Sequence, residues 1–222
     1  MKKCIVLLVL LLPVVVRAGF TEGVEYLKLD SPQPTADADR IEVLEAFWYG
    51  CPHCYRFEPD LEAWLKKKPD DVAFVRLPAV FHPDWELQAR AFYTAQAMGV
   101  LDKVHHEFFH QIHELREPVR SLGDVKRIFL AAGVSGHEFD RVYHSFLVVT
   151  QANRARQAGD LYGLKGVPTM VVNGKYRTTA KLAGGNRKML EVVDFLVERE
   201  RQARKARQDG RRRAKATAVS AQ

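Results

Sequence analysis

Past position 18 the first long apolar run, at positions 41–49, reads Ile-Glu-Val-Leu-Glu-Ala-Phe-Trp-Tyr. Both faces are apolar apart from Glu42 and Glu45, the pattern of a central strand covered on both sides. A shorter strand is predicted at 24–29, before the turn-rich Ser31-Pro-Gln-Pro-Thr. Beyond Gly50 the spacing becomes helical. Phe57, Leu61, Trp64 and Leu65 mark one face of a helix from Pro52 to Lys68, and Pro59 inside it predicts a kink. Positions 72–77, Val-Ala-Phe-Val-Arg-Leu, close a strand-helix-strand unit.

From 83 to about 161 the period stays near 3.6, which predicts an all-helical insertion. One helix spans 85–98 and ends at Gly99; a second carries Leu101, Val104, Phe108, Ile112 and Leu115 on one stripe; a third spans 122–132 and ends at Gly133. Ser135 with Glu138 has the spacing of a capping box that opens a fourth. Strand character returns at Thr169-Met-Val-Val, Asn173-Gly174 signals a hairpin, and Tyr176-Arg-Thr-Thr supplies its partner. Leu190, Val193, Leu196 and Val197 predict a closing amphipathic helix. The expected organisation is a signal peptide at 1–18, a discontinuous α/β domain at 19–82 and 161–198, a helical domain at 83–160, and a basic disordered tail at 199–222.

Charge refines the two ends. Of the net +7, positions 1–18 carry +3 and 199–222 carry +7, which leaves −3 for the body. The basic character therefore belongs to the ends. The tail has no aromatic residue to stack on bases, so nucleic acid is not the expected partner; weak attraction to anionic lipid head groups, about 1 kcal/mol per charge near the surface, is the sharper reading. At the other end Lys2 and Lys3 precede an apolar stretch too short for a comfortable membrane span, and Val16-Arg17-Ala18 offers small residues for cleavage. That layout predicts export, with cleavage near Ala18 and loss of Cys4.

Export leaves two cysteines, in Cys51-Pro52-His53-Cys54. A Cys-X-X-Cys pair serves redox exchange, forms half of a zinc site, or closes a static one-turn disulfide. No second pair exists to complete a zinc site, and so small a loop constrains the unfolded chain little. Redox exchange is the favoured use. Cys51 falls where the helix begins, so free backbone N–H groups and the positive dipole end favour its thiolate, and His53 can add a donor or charge. Pro52 suits the first helical position because it lacks an N–H. Lowering a thiol pKa by about two units is worth at most roughly 2.7 kcal/mol, on the order of 60 mV for a two-electron couple. The dithiol form is thereby favoured and the disulfide made more oxidising. Cys54, one turn further in, is expected to be less exposed and to resolve the mixed disulfide.

Strand, Cys-Pro-His-Cys-Tyr, helix, strand, helical insertion, then Gly166-Val167-Pro168-Thr169 followed by Val-Asn-Gly-Lys-Tyr is an order that resembles the DsbA family of periplasmic thiol:disulfide oxidoreductases. The resemblance covers about 41–198. It implies a thioredoxin-like α/β fold, a central mixed sheet flanked by helices, with an inserted all-helical domain. It further implies a cis Val167-Pro168 bond facing the cysteines, a peptide groove formed partly by Val167, Pro168 and Thr169, and a buried acid at Glu45 that tunes the pair or relays a proton. Arg76 stands where the family often has a basic partner, and unlike a buried lysine it stays charged. The implied activity is donation of the Cys51–Cys54 disulfide to cysteine pairs of exported, folding proteins. No cofactor is implied beyond that disulfide. The implied partner for reoxidation is a DsbB-like quinone-linked membrane protein, and the implied state is a monomer.

Alternatives remain open at this stage. A periplasmic disulfide isomerase or reductase would use the same motif, and a metal-binding or delivery module could use Cys51, Cys54 and a histidine. In the insertion, His106, His110 and His113 fall opposite the Val104 stripe at about 100° per residue, and are read as a solvated face.

Overall fold

The computed structural model describes residues 19–220. The expected signal peptide at 1–18, with Cys4, lies outside the described residues. At the centre is a five-stranded mixed sheet in the order β1-β5-β4-β2-β3. Its strands are β1 (Leu27–Lys28), β2 (Ile41–Phe47), β3 (Val72–Pro78), β4 (Thr169–Val172) and β5 (Tyr176–Thr178). Every residue of β2 is buried, Glu42 and Glu45 included, as its two-sided apolar pattern requires. Strand β3 runs parallel to it, from Ile41 opposite Val72 to Phe47 opposite Pro78, and β4 runs antiparallel on its other side. A parallel pair needs a crossover; helix α1 (Pro52–Leu65), with Pro59 inside it, provides one.

The β4–β5 hairpin turns at Asn173 and Gly174, which both have positive φ, 51° and 61°. That is the twist-matched two-residue turn. A side chain at Gly174 would also collide with the Gln33 backbone, whose N–H donates to the Gly174 carbonyl at 2.8 Å.

The remaining helices are α2 (Glu86–Ala97), α3 (Leu101–Phe109), α4 (Leu122–Ala131), α5 (Gly136–Tyr143), α6 (Phe146–Leu161), α7 (Ala180–Ala183) and α8 (Asn186–Ser220). Alternation along the sheet divides the core. On one face Val43, Met170 and Val172 pack with Phe57 and Leu61 of α1 and with Val193 and Leu196 of α8. On the other Leu44, Ala46 and Val171 join a second cluster, which also takes in Phe47 and Tyr49 at the end of β2 together with Phe92, Phe108, Phe129 and Phe139. The inserted helices thus share their core with the sheet and with Cys51 and Cys54.

Three local expectations are corrected. First, α3 passes into a π turn at His110–Glu114, with the Leu115 N–H donating to the His110 carbonyl. An i→i+5 turn shifts the register of the stripe, so Ile112 still packs inward while Leu115 is left 52% exposed. Second, the reciprocal capping box forms at Ser121 and Asp124, whereas Ser135 only accepts from the Glu138 N–H.

Third, the tail expected to be disordered from 199 is helical. Helix α8 runs on to Ser220. Glu200 is 2% exposed and accepts from Asn173 Nδ2 and Lys175 Nζ, each at 2.6 Å. Arg201 grips Asp71 with two bonds of 2.7 and 2.8 Å, and Arg204 donates to the Asp39 and Arg40 carbonyls. Charge without an apolar stripe looks solvated in sequence, but these groups are matched to loops far away in the chain.

Truncation after Glu198 therefore removes part of the folded body, while truncation after Lys205 keeps the Glu200, Arg201 and Arg204 bonds. Losing the Glu200 and Arg201 bonds is expected to cost about 1–3 kcal/mol, and each kcal/mol lowers Tm by about 2–4 °C at this size. Thermal melts of the two truncations test this; equal Tm values would remove Glu200 and Arg201 from the folded body.

Candidate active site at Cys51 and Cys54

Cys51 is the N-cap of α1, extended at φ −86° and ψ 116°, with no side-chain capping bond. Its sulfur therefore lies at the end of the helix where N–H groups are free, and Pro52 takes the first helical position without wasting a donor. Cys51 is 7% exposed and Cys54 is fully buried; both are free thiols. Cys51 Sγ lies 3.5 Å from the Val167 carbonyl, across 116 residues of sequence, and the Val167–Pro168 bond is cis. Thr169 Oγ1 donates to the Gly166 carbonyl at 2.7 Å, bracing that loop. The fold thus brings together Cys51-Pro52-His53-Cys54 and Val167-Pro168-Thr169.

The two thiols are electrostatically unlike. Cys51 is lowered from 9.0 to about 6, chiefly by the hydrogen bond from the Cys54 thiol, against the opposing effect of burial. The backbone N–H groups of Cys54 and His53 lower it further, and the charge of His53 comes last. Cys54 is pushed well above 9.0 by burial, then by its bond to Cys51 and the charge of Glu45. His53 carries less weight than its place in the motif implies. Arg56 Nη2 stands 2.9 Å from His53 Nδ1, and since a guanidinium only donates, Nδ1 accepts in this contact.

Beneath the pair lies a chain of buried polar groups. The sheet register sets Arg76 opposite Glu45. Arg76 Nε donates to Glu45 at 3.2 Å and its Nη2 donates to Glu58 of α1 at 2.8 Å. His105 continues the chain, with Nε2 3.4 Å from Glu58 and Nδ1 3.0 Å from the Tyr49 hydroxyl. With Nε2 donating to the carboxylate, Nδ1 accepts from Tyr49. Glu45 is raised from 4.5 to about 8 by burial and by Glu58, despite Arg76. At Glu58 burial is overcome by the His105 hydrogen bond and the Arg76 charge, and the group is lowered. Glu45 and Arg76 were singled out in the sequence; Glu58 and His105 were not. The signal for Glu58 was its i+4 spacing from Cys54, which puts both on one face of α1.

The helical insertion grips the start of α1 directly. Tyr55 donates to Glu114 at 2.7 Å and stacks on His113, whose Nε2 donates to the Tyr49 carbonyl at 2.8 Å. His113 therefore leaves the solvated face on which the sequence placed it, carried inward by the π turn. His106 stays exposed beside Glu62 at 3.1 Å, and His110 lies 3.8 and 3.7 Å from Glu107 and Glu114. No group of three or more metal-ligating side chains comes together among the described residues. Gly50 has its own explanation: Trp48 folds back over it and stacks on Trp85 at 3.9 Å, and a Cβ at Gly50 would run into the indole. A groove of about 660 Å³ opens beside Cys51, bordered by His53, Val167, Pro168 and Thr169 and floored by Leu27 and Leu182.

Comparison with known proteins agrees with this arrangement. A model of the DSBA-like thioredoxin domain matches residues 42–196. The thiol:disulfide interchange protein DsbA of Pseudomonas aeruginosa is 42% identical over 186 residues, which cover 84% of this chain and 88% of that one. That of Azotobacter vinelandii is 42% identical over 181 residues, covering 82% and 85%. A crystal structure of Pseudomonas aeruginosa DsbA superposes with a TM-score of 0.80 at 42% identity, covering 84% of this chain and 97% of that one. The oxidoreductase NmDsbA1 of Neisseria meningitidis does so with 0.74 at 25% identity, covering 85% and 98%. With a mixed sheet, an N-capping cysteine of a Cys-Pro-His-Cys motif and a family match across most of its length, this chain belongs to the DsbA family of thiol:disulfide oxidoreductases.

Proposed function

We propose that the chain is a periplasmic dithiol oxidase that passes the Cys51–Cys54 disulfide to cysteine pairs of exported, folding proteins. The observation that carries this reading is the inequality of the two thiols: a low one at the helix start beside a groove, and a high one buried behind it. A client thiolate attacks Cys51 Sγ, the internal S–S bond breaks, and Cys54 leaves and takes up a proton. The second client thiolate then attacks the client sulfur of the mixed disulfide and expels Cys51 as a thiolate. Two electrons pass from client to enzyme, which ends as a Cys51 thiolate and a Cys54 thiol. Low basicity makes Cys51 a good leaving group. Glu45, held near 8 beneath Cys54, is suited to supply the proton that the departing Cys54 sulfur needs.

A thiolate that is stable in the reduced enzyme also sets the direction of transfer, toward oxidised clients. The three units between 9.0 and about 6 are not all felt at neutral pH. At pH 7 only about one unit is realised, worth roughly 1.4 kcal/mol or about 30 mV. Reoxidation is assigned to a DsbB-like quinone-linked membrane protein, and the working state to a monomer. Exposed Lys205, Arg207, Arg211 and Arg212 on α8 give the protein a weak attraction for anionic head groups. No helix among the described residues is long and apolar enough to cross a membrane.

The nucleophile is tested by substitution. Cys51→Ser is expected to abolish oxidation of a dithiol peptide, and Cys54→Ala to accumulate mixed disulfides with clients; turnover by Cys51→Ser would overturn the assignment. Thiolate ultraviolet absorbance is expected to titrate near pH 6 in the reduced protein, with Cys54→Ala raising the midpoint more than His53→Ala does. The reverse order would make His53 the dominant tuner.

Stability follows with opposite signs for the two buried acids. The Cys51 contribution is fully present above 9.0 and is lost as pH falls through about 6, so the reduced form should gain on the oxidised form as pH rises from about 6 to 9. Glu45 is raised, so its contribution is present below 4.5 and is lost as pH rises through about 8. Chemical denaturation of the oxidised protein should show this loss, and Glu45→Gln should flatten it; identical pH profiles for wild type and variant would contradict a buried acid at Glu45.

A further inference from the structure

The charge lining the groove beside Cys51 is of one sign. The body of the chain carries −3 overall, yet Lys165, Arg177 and Lys181 border the groove and no carboxylate does. Lys165 and Lys181 are exposed and have no hydrogen bond or ion pair among the described residues. Three other cations near the sheet are matched: Lys175 to Glu200, Arg187 to Asp60 and Arg201 to Asp71. Arg177 is fixed at the groove wall by the Tyr162 and Gly163 carbonyls, with its charge uncompensated by any acid. At the mouth Arg56 adds a further cation against His53.

Between the cations the surface is apolar, from Leu27, Val167, Pro168 and Leu182. An apolar floor with a cationic border fits an extended peptide that buries one side chain and carries carboxylates on its neighbours. The geometry points to a client preference: the groove selects cysteine-containing segments flanked by aspartate or glutamate, through Lys165, Arg177 and Lys181. This inference rests on the oxidase reading of the same site and adds a substrate class to it. The selection also matches a chemical need. A carboxylate beside a client cysteine raises its thiol pKa and thins the attacking thiolate; cations on the enzyme offset that effect once the segment is seated. Exposed pairs contribute little singly, about 0.2–1 kcal/mol each, so the preference is the joint effect of three.

The test uses the oxidised protein with residues 19–222 in single-turnover mixing with three dithiol peptides, identical except for flanks of glutamate, glutamine or lysine. The glutamate peptide is expected to be oxidised about tenfold faster than the lysine peptide at low ionic strength, with the gap closing as salt is raised. Lys165→Glu combined with Lys181→Glu is expected to reverse the order. Equal rates for glutamate and lysine flanks in the wild type, or a wild-type order that persists unchanged in the double variant, would overturn the preference. Failure of the wild type to oxidise even the glutamine peptide would instead overturn the oxidase reading beneath it.

Discussion

Arg76 is shared between two buried carboxylates, and the region under the cysteines is organised around that sharing. One guanidinium from β3 reaches Glu45 on β2 and Glu58 on α1, so strand, strand and helix are tied at the level of Cys54. Removing it would strand the carboxylates without a cation, a loss of about 3–5 kcal/mol for a buried pair broken on one side. A single positive charge cannot hold two anions equally well in a buried site. Glu58 takes the shorter bond and the help of His105; Glu45 is left to take up a proton near neutrality. The asymmetry of the carboxylates thus lies directly beneath the asymmetry of the thiols. His105 and Tyr49 carry the chain on into the aromatic core, where Tyr49 stacks on Phe108.

The thiolate at Cys51 needs no nearby cation to account for it. Its principal support is the Cys54 thiol one turn away, followed by backbone N–H groups that exist because a helix starts there. Neither depends on the side chains of Pro52 and His53 between the cysteines. Pro52 and His53 contribute by fitting the helix start, by supplying a backbone donor and, through the Arg56 bond, by keeping the imidazole in one tautomer. Burial works against the thiolate, and the fold accepts that penalty because the same burial separates Cys54 from water.

Much of this was legible in the residues. The two-sided apolar run placed β2, the Asn173-Gly174 pair placed the hairpin, and Cys51-Pro52-His53-Cys54 lay where a helix had to start. Glu45 and Arg76 were singled out by the resemblance to the DsbA family and not by the strand pattern, which marks Glu42 equally. What escaped has a common cause: it depends on partners distant in sequence. Glu58 looks like any helix carboxylate until the i+4 position from Cys54 is seen to face Arg76. His105 sits between Ile112 and Phe109 on the apolar side of α3, yet beside His106 it reads as one of a polar cluster. The π turn that brings His113 to Tyr49 breaks the very periodicity on which helix faces are read. The arginines of α8 failed for the same reason, since Asp71 and the carbonyls at Asp39 and Arg40 are invisible from the tail itself.

The aromatic core that the sheet shares with the inserted helices has a consequence for how such a chain can change through evolution. Phe47 touches Phe92, His105 and Phe109, and Tyr49 touches Phe108, so one set of rings belongs to both parts. An insertion with its own closed core could be exchanged between relatives as a module. Here a graft of the helices would have to bring matching rings at positions 47 and 49, four and two residues before Cys51. Divergence of the helical part is therefore constrained by the catalytic strand, and the two are expected to drift together.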